Sequence, residues 1–188
     1  MDTEMPKQEI SFIWPPKMAT KSSKTFFVAQ MSLRMVVVAF TLAGAITMVT
    51  SEQSVTIFGI VMQARYTYSS AFRFKVIADS VVCAISLLSV LLVYSFSHRK
   101  SNTNNYFFLL CHDMVNMIVL ISGCAASTAI GSVGKYGQSQ TGWIKICDRV
   151  DKFCDRILVS IALSYLASIS LFVLTIMGAY KLKSLAVE

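Results

Sequence analysis

Charge is scarce in this chain. Only 14% of its 188 residues are Asp, Glu, Lys or Arg, against about 25% in soluble domains. Proline is scarcer still: Pro6, Pro15 and Pro16 are the only three, all near the N-terminus. The rest of the chain therefore lacks the proline-interrupted segments that help build transporter sites, and no internal repeat is visible. Histidine occurs twice, as His98 and His112, too few for a histidine-built metal site. There is no glycine-rich phosphate loop, no Ser/His/Asp set and no Asn-x-Ser/Thr sequon. These gaps point away from an enzyme and predict no catalytic residue, metal or cofactor.

What the chain does have is apolar length. Hydrophobic residues make up 55% of it, and they come in blocks. Residues 26–49, 76–96, 106–130 and 157–180 are each long enough to cross a bilayer, which takes about 20 apolar residues. Backbone groups in lipid must bond internally, so these blocks read as helices. The expected fold is an all-α integral membrane protein, a four-helix transmembrane bundle over residues 26–180. It is flanked by an N-terminal tail over 1–25 and a C-terminal tail over 181–188. The formal charge of +7 would suggest nucleic acid in a soluble chain. Here the basic residues mostly flank the apolar blocks, where they set topology, and no nucleic-acid partner is expected.

Basic residues are balanced between the two sides of the membrane, so the first helix decides orientation. Lys17, Lys21 and Lys24 precede it and no basic residue follows until Arg65. Both termini are therefore expected in the cytoplasm. The N-terminal tail carries no apolar core of a signal peptide, and its Trp14-Pro15-Pro16 reads as a loose segment near the headgroups. The segments 50–75 and 131–156 face outside. At 26 residues each, neither is expected to build a core of its own.

Five cysteines fall into two groups. Cys83, Cys111 and Cys124 lie inside apolar blocks and read as small hydrophobes. Cys147 and Cys154 lie in the second outer loop, where an oxidising face permits pairing. In one continuous helix they would stand about 10.5 Å apart, beyond the roughly 7 Å that a disulfide spans. Pairing thus requires a turn between them, with the fourth helix starting after it; otherwise both remain free thiols. No third ligand for a zinc site is near.

Ionisable residues inside the blocks need partners, because a lone charge in lipid is costly. Measured from the cytoplasmic boundaries, Arg34 and Asp113 lie about 13 and 12 Å deep. The depths match, which predicts an ion pair between helices one and three. The alternative for Arg34 is snorkelling to the headgroups, which the short Asp113 cannot do. His112 and Asn116 would extend a polar patch around the pair. Asp79, four residues after Lys75, reads as a local salt bridge at the outer rim of helix two. Ser160, Ser164 and Ser168 on helix four, and Gly123, Ser127 and Gly131 on helix three, form small-residue rows at spacing four. Such rows let helices approach closely, within one bundle or between protomers.

Taken together, four helices, Arg34 in the first and Asp113 in the third resemble the Casparian strip membrane domain protein family, including its CASP-like members in plants. The stretch Tyr68-Ser69-Ser70-Ala71-Phe72-Arg73-Phe74-Lys75-Val76-Ile77-Ala78 is similar to the family's entry to helix two. Gly142-Trp143, Cys147 and Phe153-Cys154-Asp155 are similar to its second outer loop. The resemblance covers about residues 25–180. It departs from the founding members in its first outer loop, which lacks their long Phe-rich signature, and in Asp79, where the family pattern expects Asn. A CASP-like member is therefore the expectation.

The resemblance implies a MARVEL-like fold and a non-enzymatic scaffold at the plasma membrane, as the founding members are. It implies self-association, also with related family members, contact with membrane lipids, and secreted wall-modifying enzymes as partners in local cell-wall modification. The competing expectation is a small channel or transporter whose polar path runs by Arg34, His112, Asp113 and Asn116.

Overall fold

The structure is a computed structural model and describes residues 23–57, 60–98 and 103–187. The Trp14-Pro15-Pro16 tail lies outside the described residues. Four long helices dominate: α1 Ser23–Val49, α2 Ser70–His98, α3 Thr103–Tyr136 and α4 Asp151–Val187. All four are long and apolar enough to cross a membrane. They run up and down in turn, and their packing closes a ring, with α1 against α2, α2 against α3, α3 against α4 and α4 back against α1. The start of α1 and the end of α4 lie at one end, the terminal face. The other end is the distal face.

The helices are inverted relative to those of a soluble bundle. Their outward faces carry large apolar side chains such as Val28, Ile46, Leu88, Leu91, Ile118 and Phe172. Their inward faces hold Arg34, Lys75, Asp79, Asp113, Asn116 and a set of serines, all buried. An apolar exterior around a polar interior is stable only where the surroundings are lipid. The interior also has a hydrophobic centre, formed by Val37, Val82, Leu120, Ala167, Leu171 and Leu174. Serine and threonine hydroxyls that face inward or sideways bond back to carbonyls one turn earlier, as Thr41 does to Val37 at 2.8 Å. This satisfies them without a partner helix.

Each helix is longer than its apolar block. α2 is the clearest case, starting six residues before Val76. The extra turns carry polar residues that still bond along the helix, so hydropathy alone underestimates where it begins.

The distal face is not a set of bare loops. After α1 the chain forms an antiparallel hairpin of β1 Glu52–Ile57 and β2 Ile60–Arg65, registered as Glu52 with Arg65 and Val55 with Met62. A single 3-10 turn, Tyr66–Tyr68, leads into α2. The hairpin and helix ends share a second hydrophobic cluster of Met48, Phe72, Val150, Phe153, Ile157 and Ile161, with Val55, Ala64 and Tyr66 against it. Neither segment has a core of its own. The two segments together with the ends of α1, α2 and α4 enclose a shared one.

Candidate functional site

Two polar layers cross the interior. The layer nearer the terminal face is built on Arg34. Its guanidinium meets the Asp113 carboxylate in parallel bonds, Nη1 to Oδ1 at 2.9 Å and Nη2 to Oδ2 at 2.7 Å. Nη1 also donates to Ser89 Oγ on α2 at 2.7 Å, and Ser89 in turn donates to Ser86 O at 2.8 Å. Both charged side chains are 3% exposed or less. This fork geometry gives the pair its direction and strength. Arg34 points inward to its partner and does not snorkel. Its Nε has no partner among the described residues.

His112 and Asn116 border this layer. Asn116 Nδ2 lies 3.3 Å from His112 Nδ1, and His112 Nδ1 lies 3.4 Å from Asp113 Oδ1. These are long contacts, so the imidazole is a flank of the pair and Arg34 is its counter-charge. Ser89 is a member that sequence reading missed. A lone serine in an apolar helix carries no signal of its own, and only the depth it shares with Arg34 could have marked it.

The layer nearer the distal face centres on Lys75. Its ammonium donates to Asp79 Oδ2 at 2.6 Å, Ser160 Oγ at 2.9 Å and Ser164 Oγ at 2.9 Å. An ammonium has three N–H donors, and all three are used. Ser164 Oγ donates to Asp79 Oδ1 at 3.0 Å, and Ser160 Oγ donates to Gly44 O on α1 at 2.7 Å. The Lys75 and Asp79 side chains are 0% exposed. The rim salt bridge expected here is corrected: the pair is sealed in the bundle and joins α1, α2 and α4. The cause is the early start of α2 at Ser70, which carries Lys75 well inside the helix.

The serine row is therefore internal. Ser160 and Ser164 hold the distal layer, and the buried Ser168 bonds back to Ser164 O at 2.9 Å. Gly44 opposes the row, where a Cβ would stand 3.0 Å from Ser164 Oγ and 3.3 Å from Asp79 Oδ2. On α3, Gly123 lets α2 come close, since a Cβ there would meet Ala78 Cβ at 3.2 Å. Ser127 Oγ donates to Ala71 O at 3.3 Å. At Gly131 a Cβ would meet nothing within 4 Å, so within the bundle the α3 packing row reaches only to Ser127.

The profile of the Casparian strip membrane protein domain matches residues 23–170. The chain belongs to this family. It is 47% identical to CASP-like protein 1F2 of Vitis vinifera, over 90% of this chain and 85% of that protein. It is 47% identical to CASP-like protein 1F2 of Ricinus communis, over 87% and 82%. It is 41% identical to CASP-like protein 1F1 of Vitis vinifera, over 95% and 86%. No solved structure matches it.

In this CASP-like chain the distal cap is tied down on both sides. Cys147 and Cys154 form a disulfide with a Cα separation of 5.8 Å. The predicted turn is present, with Arg149 N donating to Ile146 O at 3.0 Å. The fourth helix starts after that turn, at Asp151, and Cys154 sits in its first turn. Gln53 Oε1 of β1 accepts from Phe153 N at 3.0 Å, which caps an otherwise free N–H of that turn. Arg156 Nη1 donates to Thr50 O at 3.0 Å. The hairpin, the disulfide and the α4 start are thus one connected unit.

Proposed function

We propose that this CASP-like chain is a non-enzymatic plasma-membrane scaffold with both termini cytoplasmic, which self-associates and organises membrane subdomains. One observation carries the reading. The four charged residues well inside the helices, Arg34, Lys75, Asp79 and Asp113, are matched as two buried ion pairs. A matched, buried pair neutralises charge and locks helices together. A conducting path would need charged groups that face water. Arg34 and Asp113 face each other, which favours the scaffold over a channel or transporter along His112 and Asn116. The serine row of α4 and Gly123 and Ser127 of α3 are spent inside the bundle, so the apolar outer faces remain for lipid and for other family members. Guidance of local cell-wall modification, with secreted wall enzymes as partners, rests on the resemblance to the family's founding members.

Two measurements test this reading together. Purified protein in liposomes should pass neither protons nor common ions above the empty-liposome rate. The tagged protein in plant cells should show slow lateral exchange after photobleaching and cross-link to itself. Specific ion flux with free lateral diffusion would replace the scaffold by a transport role.

A further inference from the structure

The second distal loop carries an exposed apolar group that the bundle does not use. Trp143, Ile144 and Ile146 are 58%, 79% and 52% exposed. Three large apolar side chains within four residues are unfavourable in water. Their height is set by backbone bonds: Ile146 N and Cys147 N both donate to Gly134 O, at 3.0 and 3.2 Å. The loop therefore folds down beside the last turn of α3. Gly134 lies four residues beyond Ile130, the end of the apolar block, or about 6 Å along the helix axis. The headgroup layer extends about 5–7 Å beyond the hydrocarbon on each side. By this measure Ile146 falls at headgroup depth, and Trp143, whose carbonyl packs against Gly137 just beyond the end of α3, stands within a side chain's reach of that layer.

The chemistry around them suits that layer. Tyr136 is exposed beside the loop, and Lys135 Nζ stands 5.9 Å over its ring. Lys135 and Lys145 are both exposed. Aromatic rings with a polar edge and lysines with long apolar stems are the side chains that a phosphate-rich interface accommodates. The loop is also held in shape. Gln138 and Trp143 exchange backbone bonds at 3.0 and 3.1 Å. Gly137 has φ +69°, and a Cβ there would stand 2.9 Å from Trp143 O, so glycine is required. Below the loop the apolar surface continues through the exposed Ile130.

We infer that residues 143–146, with Tyr136, Lys135 and Lys145, form an interfacial anchor that beds into the phospholipid headgroups of the distal leaflet. The anchor fixes the height and tilt of the distal cap on the membrane, and the disulfide at Cys147 passes that constraint to α4.

The chain has two tryptophans, Trp14 and Trp143, so Trp14→Phe leaves Trp143 as the only indole. The full-length variant is placed in phosphatidylcholine–phosphatidylglycerol vesicles, with and without acyl chains brominated near the headgroup. Trp143 emission should be blue-shifted from that of free tryptophan, quenched by the brominated lipid and shielded from aqueous iodide. Adding Ile144→Asp and Ile146→Asp should reverse all three readings. Lys135→Gln with Lys145→Gln should remove any dependence on the phosphatidylglycerol fraction. The difference between the parent protein and Trp143→Phe reports the same signal without altering Trp14. Trp143 that is open to iodide and indifferent to brominated lipid would overturn the anchor, leaving the patch to a soluble partner.

Discussion

The Ser164 hydroxyl on α4 donates to Asp79 on α2 at 3.0 Å while accepting from Lys75 at 2.9 Å. One small side chain thus bridges both members of an ion pair from a different helix. The carboxylate gains a donor, the ammonium gains an acceptor, and two helices are joined without further charge. In a lipid environment, where helix association has little hydrophobic drive, such bonds and close packing set which helices meet.

The terminal-side pair should behave as a unit. Asp113→Asn or Arg34→Gln alone leaves a buried charge unpaired, which costs about 3–5 kcal/mol in a dry site. Either change should lower accumulation and the melting temperature of detergent-extracted protein. The double change should recover much of the loss, since contacting partners are non-additive. Losses that simply add would show that the two charges do not depend on each other.

The distal layer predicts a second rescue. Lys75→Met should destabilise strongly, because Asp79 keeps only the Ser164 hydroxyl. Lys75→Met with Asp79→Leu replaces the pair by apolar volume and should melt well above the single variant, recovering most of the roughly 3–5 kcal/mol that breaking the pair costs. A rim salt bridge would give changes of roughly 0–1 kcal/mol for every variant. Thermal melts of the three proteins in one detergent distinguish these outcomes.

Ser164→Leu and Gly44→Val test which contact the serine row serves. Both insert bulk where α1 and α4 are in contact, and overpacking costs about 1–3 kcal/mol. The expected loss is in the melting of the monomer. Self-association of whatever remains folded should be unchanged, as read by chemical cross-linking in native membranes. An unchanged melt with lost cross-links would move the row to a contact between copies.

The disulfide ties the cap to α4. Cys147→Ser with Cys154→Ser should lower stability by about 2–3 kcal/mol through loop-closure entropy. The loss should fall on the distal unit, seen as faster amide exchange over residues 52–65 and 138–157 while the centres of the helices stay protected. Mass mapping of non-reduced protein should find Cys147 linked to Cys154. Two free thiols in correctly trafficked protein would refute the bond.

The sequence by itself determined the number of helices and their membrane setting, and it set Arg34 and Asp113 at matching depth. These follow from run length and from rise per residue, both one-dimensional quantities. Depth left Arg34 two options, the Asp113 carboxylate or the headgroups, and the structure chose the carboxylate. The tertiary structure decided what depth cannot: which way each helix face turns, and where each helix begins. It placed Lys75 and Asp79 against Ser160 and Ser164 because α2 starts at Ser70, ahead of its apolar block. It turned the serine row inward and left open space beside Gly131. It also gave the distal segments a shared core, since Val55, Phe72 and Phe153 come from three separate stretches of chain. Rotation about a helix axis and packing between distant segments are settled by which surfaces fit, and no local pattern encodes that.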